Sequence, residues 1–142
     1  MFNIYGPGQD PTNKSLGMIN IFLTMALNSD SIEVKGSLKR FRDFIYIDDV
    51  ASAWFKIATS KKTINKIYNI GTGKKTSIKN LLNLIIKLTN KKISINETKG
   101  TPGDFLGCYA NIDKLKKDTK FSPKVDLNYG LKKFYNWAKQ II

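Results

Sequence analysis

Arg42 and Asp43 are the residues whose types and placement best suit chemistry. They stand at the mouth of the apolar run Phe44 to Ile47, where a guanidinium could grip a phosphate through two parallel hydrogen bonds. The same residues also read as plain structure, with a strand, a capped helix and an incidental Arg–Asp ion pair. On residue types alone that structural reading is favoured. Gly71-Thr72-Gly73 follows a strand-like run and invites comparison with a dinucleotide-binding turn, but Thr76 stands where the third glycine should be and the motif fails. There is no histidine, which excludes histidine-based metal sites and histidine-dependent triads. Cys108 is alone, which excludes an internal disulfide and fits a reducing cytoplasm.

The elements that must position Arg42 and Asp43 begin with Phe44 to Ile47, a strand by its aromatic and β-branched residues. Apolar side chains on both of its faces predict cover on both sides. Asp48 is the expected N-cap of the following helix and Asp49 sits in its first turn, where the dipole favours negative charge. Ala51, Trp54, Phe55 and Ala58 are spaced as its buried face.

The chain opens with a strand over Phe2–Tyr5 that breaks at Gly6-Pro7-Gly8. A polar loop from Asp10 to Ser15 leads to a helix over Leu16–Leu27, apolar nearly all round. Ser31 to Gly36 is a short strand, and Ser37 to Phe41 a basic loop. Lys66–Ile70 is expected to be a strand in one largely parallel sheet with Phe2–Tyr5. The next helix is capped by Thr76 or Ser77 and buries Ile78, Leu81, Leu82, Ile85 and Leu88. Gly100 to Asp104 is a turn bearing one acid. Asp126 caps the last helix, whose stripe is Leu127, Leu131, Phe134, Ala138 and Ile141.

At 142 residues the chain can bury a sizeable core and forms at most one domain. The longest apolar-rich run is too short to span a membrane. The net charge of +13 raises a nucleic-acid reading, but arginine occurs only at Arg40 and Arg42 and the lysines come as scattered doublets. A solvated lysine surface is the better account, with attraction for anionic ligands as a by-product.

Arg42-Asp43-Phe44-Ile45-Tyr46-Ile47-Asp48-Asp49-Val50 resembles the Arg-Asp-(Phe/Tyr)-(Ile/Val)-(Tyr/His)-(Ile/Val)-x-Asp-(Val/Leu) segment of extended short-chain dehydrogenases/reductases acting on nucleotide sugars, typified by UDP-glucose 4-epimerase. The resemblance extends in order through Phe2-Asn3-Ile4-Tyr5-Gly6-Pro7, Tyr68-Asn69-Ile70-Gly71, Gly103-Asp104, Ala110-Asn111 and Phe121-Ser122-Pro123, and so covers nearly the whole chain. It implies an α/β fold, the C-terminal portion of a Rossmann-like extended short-chain dehydrogenase/reductase with its small substrate-binding domain. Because the family carries chain before the strand that holds Met1, residues 1–142 are expected to be the C-terminal, substrate-binding part of a longer enzyme.

By the same resemblance, Phe2 lies on the nicotinamide side of NAD and Asn3 hydrogen-bonds the nucleotide sugar. Ser15 and Leu16 contact substrate, Val34 and Lys35 line the uracil pocket through backbone groups, Arg42 meets the diphosphate and Asp104 a ribose hydroxyl. Thr101 replaces an arginine that the family usually has, which puts a two-arginine grip on the diphosphate in doubt. The family's catalytic Tyr-x-x-x-Lys pair and phosphate loop are expected upstream of Met1. Tyr129–Lys133 and Tyr135–Lys139 have that spacing but fall on the last helix and read as solvent-facing chance pairs. The implied activity is 4-epimerisation of a nucleotide sugar by oxidation and re-reduction at C4. Its rivals are a dehydratase, reductase or decarboxylase of the same superfamily and a non-catalytic binding fragment. NAD is expected in the intact parent and not on this chain alone. The expected partners are the nucleotide-sugar substrate and, as one allowed assembly, a second copy of the chain; neither nucleic acid nor a membrane is expected, and the expected location is the cytoplasm.

Overall fold

Strands and helices alternate along the chain in a computed structural model that describes residues 1–10, 13, 17–100 and 103–141. The order is β1 (Ile4–Tyr5), α1 (Met18–Asn28), β2 (Ser31–Lys35), β3 (Phe41–Arg42), β4 (Ile45–Tyr46), α2 (Ile47–Thr59), β5 (Thr76–Ser77), α3 (Ile78–Thr89), β6 (Ser94–Thr98), α4 (Asp113–Thr119) and α5 (Leu127–Ala138). β1 pairs in parallel with β4, Ile4 opposite Ile45. β2 pairs in parallel with β6 from Ser31–Ser94 to Lys35–Thr98. β3 runs antiparallel to β5, with Arg42 opposite Thr76. Among the described residues no helix is long and apolar enough to cross a membrane.

The main core forms where α1, α3 and α5 bury their apolar stripes against β2 and the β1–β4 pair. In α3 the spacing of Ile78, Leu81, Leu82 and Ile85 puts all four on one face, and all are fully buried. Ser77 starts that helix by accepting from the Asn80 amide at 3.1 Å, and Asp126 does the same for α5 through Tyr129 at 3.0 Å. Leu131, Phe134 and Ala138 are the buried part of the α5 stripe, whereas Ile141 is exposed. Gly130 is required there, because a Cβ would collide with the Tyr5 hydroxyl. A smaller core joins Ile45, Val50, Ala53, Ile70, Leu115 and Phe121.

Three expectations are corrected. α2 is rotated from the predicted phase: Asp49, Val50 and Ala53 are buried, while Trp54 and Phe55 are 56% and 69% exposed and Ala51 and Ala58 face outward. β4 runs into α2 without a loop, so the buried strand residue Tyr46 sets which helical face follows. Only small or slender side chains then fit against the strand. For the same reason Asp48 is not the cap: Tyr46 holds that position, Asp48 lies exposed in the first turn, and Asp49 is turned inward. Residues 66–70 are not a strand among the described residues, although the Phe2 amide donates to the Ile70 carbonyl at 2.9 Å. One bond lays this segment beside β1 without building a ladder. The first helix begins at Met18, and Leu16 lies outside the described residues.

Candidate nucleotide-binding site

Arg42 and Asp43 diverge, as successive residues of an extended chain must. Asp43 is fully buried and turns to main-chain donors. Its carboxylate accepts from the amides of Thr72 at 2.9 Å, Gly73 at 2.8 Å and Ala110 at 3.1 Å, and from the Thr72 hydroxyl. Gly71 lets this loop approach, since a Cβ there would lie 2.7 Å from the Asp43 carboxylate. The Thr72 and Gly73 amides that might have cradled a phosphate are therefore occupied by an internal anion. The residues present here do not fit the diphosphate of NAD, in agreement with the failed motif.

Arg42 is 7% exposed and turns the other way. Its Nη1 donates to the Phe41 carbonyl at 2.8 Å, and Nη2 lies 4.0 Å from Asp104 Oδ1. Phe105, itself half exposed, covers one face of the guanidinium with its ring centroid 4.4 Å from Cζ. The donors lie in the guanidinium plane, so stacking on its face does not itself occupy them.

Asp104 is held by a residue that the sequence reading passed over. Arg40, 8% exposed, donates from Nη1 to Asp104 Oδ2 at 2.7 Å, from Nε to the Ser37 carbonyl at 3.0 Å and from Nη2 to the Lys35 carbonyl. Gly36, at φ 83°, makes room for the pair: a Cβ there would sit 2.5 Å from Asp104 Oδ2 and 3.0 Å from Arg40 Cζ. The signal available in the sequence was the rarity of arginine, confined to Arg40 and Arg42 among 24 basic residues.

Beside Arg40 opens an apolar cavity of about 500 Å³, lined by Met18, Ile21, Phe22, Met25, Glu33, Lys35 and Arg40. Lys35, Arg42 and Asp104 thus converge on one region. The Val34 side chain is fully buried in the core, so only its backbone could face a ligand. Asn3 is tied to the same region through its neighbour, its Nδ2 donating to the Asp43 carbonyl at 2.9 Å. Phe2 lies two residues before β1, its amide bonded to the Ile70 carbonyl. Ser15 and Leu16 lie outside the described residues, as does Thr101.

The two Tyr–Lys pairs of the last helix are ring contacts. Lys133 Nζ sits 5.3 Å from the Tyr129 ring centroid and Lys139 Nζ 5.6 Å from that of Tyr135. Each ammonium packs on its own helix neighbour, with Tyr129 exposed. Among the described residues no group of three His, Cys, Asp or Glu could hold a metal ion.

Residues 1–71, half of the chain, match the NAD dependent epimerase/dehydratase family. A UDP-glucuronate 4-epimerase of Thermodesulfobacterium geofontis is 31% identical over 142 residues, covering 99% of this chain and 42% of its own. The crystal structure of UDP-glucose 4-epimerase from Thermotoga maritima with UDP-glucose superposes with a TM-score of 0.90 at 28% identity, covering 99% of this chain and 44% of that one. UDP-glucuronic acid 4-epimerase from Bacillus cereus, solved with UDP-glucuronic acid and NAD, gives 0.88 at 29% identity, with coverage of 99% and 44%. The chain therefore spans less than half the length of these relatives. With the α/β order and the ordered motifs, these matches show that the chain belongs to the NAD dependent epimerase/dehydratase family of extended short-chain dehydrogenases/reductases.

Proposed function

We propose that this chain is the substrate-binding, C-terminal portion of an NAD-dependent nucleotide-sugar 4-epimerase, and that it holds the nucleotide diphosphate handle of a UDP-sugar. The observation that carries this reading is the chain of contacts from the apolar cavity through Arg40 to Asp104 and on to Arg42. The cavity of about 500 Å³ has Arg40 in its wall, Arg40 bonds Asp104 at 2.7 Å, and Asp104 lies 4.0 Å from Arg42. A pyrimidine nucleotide has the same order of parts: an apolar base, a hydroxylated ribose, then phosphate.

In this arrangement the base enters between Met18, Phe22 and Met25, with the Val34–Lys35 main chain at its edge. Asp104 Oδ1 accepts from a ribose hydroxyl. Arg42 neutralises phosphate charge through in-plane hydrogen bonds, which are stronger than neutral ones. Asn3, fixed through the Asp43 carbonyl, faces the sugar–phosphate end. Holding the handle rigidly places the sugar for reaction and spares the entropy of orienting it in the chemical step. The redox chemistry, hydride removal from C4 and its return, belongs to NAD in the intact parent; none of these residues carries it out.

Calorimetric titration of the purified chain with UDP and uridine, together with an absorbance check for co-purified dinucleotide, tests this reading. The expected result is saturable UDP binding, weaker uridine binding and no retained NAD or epimerase turnover. Absence of UDP binding at millimolar ligand would overturn the handle-binding role, and stoichiometric NAD would overturn the division of labour.

A further inference from the structure

We propose that Arg40 is a positioning residue for nucleotide recognition, acting through Asp104; this rests on the reading of Asp104 and Arg42 given above. Three nitrogens of its guanidinium are committed to protein acceptors, the Ser37 and Lys35 carbonyls and Asp104 Oδ2. This fork bridges three acceptors in fixed directions, which an ammonium on a flexible stem does not reproduce. The site is also built around the pair. Gly36 and Gly100 lie against the Asp104 carboxylate, Gly36 so closely that any side chain would displace it. The Arg40 carbonyl accepts from the Ile78 amide at 2.8 Å, which fixes the Arg40 backbone to the start of α3.

The consequence concerns charge as well as geometry. Asp104 has two cations within reach, Arg40 at 2.7 Å and Arg42 at 4.0 Å. Because Arg40 takes Oδ2, Oδ1 is left as an acceptor and Arg42 keeps its charge for an anionic ligand. Without Arg40, the Asp104 carboxylate would lose its 2.7 Å partner and be free to close the 4.0 Å gap to the remaining guanidinium by charge attraction. One substitution would then remove both the ribose acceptor and the phosphate contact. Thr101 supplies no cation, so this chain places its second arginine on the Asp104 side of the site and not on the phosphate side.

A double-mutant cycle read by calorimetry tests the proposal on the full chain, with UDP and uridine as ligands. Arg40→Gln is expected to weaken UDP binding at least about tenfold, since both the ribose and the phosphate contact are weakened, and uridine binding, which loses only the ribose contact, by less. In an Asp104→Asn background the same change should alter UDP affinity by no more than about twofold, because the group it controls is gone. Arg40→Lys should recover little of the loss. If Arg40→Gln binds both ligands like wild type, or weakens UDP by the same factor in both backgrounds, the positioning role is overturned. If Arg40→Gln fails to fold, Arg40→Lys is carried through the same cycle, with the same two outcomes deciding. Failure of the wild-type chain to bind UDP removes the functional reading itself, whereas wild-type binding with an indifferent Arg40 variant removes only this inference.

Discussion

Asp43 has no described cation for a partner; three main-chain amides and a hydroxyl satisfy its carboxylate. Asp49 repeats the device, accepting from the Lys124 amide at 2.9 Å and the Val125 amide at 2.9 Å. Each buried acid pins a distant loop to the strand–helix unit that carries Arg42. Asp43→Ala should therefore destabilise the chain by about 3 kcal/mol, since several buried amides lose their acceptor. Urea unfolding checks this, and a loss below about 1 kcal/mol would mean that the amides find other partners. The sequence showed that Arg42 and Asp43 were special but could not separate an ion pair from divergent roles. The partners of Asp43 lie 29 to 67 residues away, and no local pattern announces them. Arg40 was missed for a similar reason. A basic loop residue gives no local sign of the acid 64 positions downstream that holds it.

Elements closed by local chemistry were legible, and elements set by distant pairing were not. Ser77 and Asp126 both cap the helices assigned to them, because cap and helix are neighbours in the chain. β6 pairs with β2 across the fold, and only Ile95 of its five residues is even partly buried, so its sequence carries little alternation. α2 had two apolar stripes at helical spacing, and the loop-free junction with β4 chose the one with smaller side chains. Replacing Trp54 by Lys together with Phe55 by Glu should change stability by no more than about 0.5 kcal/mol, as for exposed positions. Ala53→Leu should cost about 1–3 kcal/mol by overpacking. The reverse order in urea titrations would restore the original phase. α4 is tied to residues 66–68 by Asp118, which accepts from Tyr68 at 2.7 Å and Lys66 at 2.9 Å. The Tyr68 hydrogen bond, then Lys66, holds the Asp118 carboxyl below its usual range, while burial and then that same bond push Tyr68 up to about 12. A depressed carboxyl stabilises above its unfolded value and loses this as pH falls through the folded one. A raised phenol stabilises below its unfolded value, about 10, and loses this as pH rises through the folded one. The difference in thermal midpoint between wild type and Tyr68→Phe should therefore be flat from about pH 5 to about pH 9 and shrink on both sides. A difference that grows in acid would contradict the assignment.

Across the whole molecule, the alternation of strands and helices made an α/β fold readable, and the ordered motifs carried the family. Several lysines pack on aromatic rings, as Lys75 does on Phe41 at 5.1 Å and on Tyr109 at 4.6 Å. The sequence could not show that Arg40, in the wall of the apolar cavity, bonds Asp104 and that Asp104 approaches Arg42, because separate segments contribute these residues. The handle-binding role turns on Arg42 more than on any other residue. Arg42→Ala should cost about 1.5–3 kcal/mol of UDP binding, and Arg42→Lys should restore only part of it. The deciding measurement is calorimetric titration of UDP, UMP and uridine into wild type and Arg42→Ala. The phosphate role predicts a loss for UDP that far exceeds the loss for uridine; equal losses for UDP and uridine would contradict it.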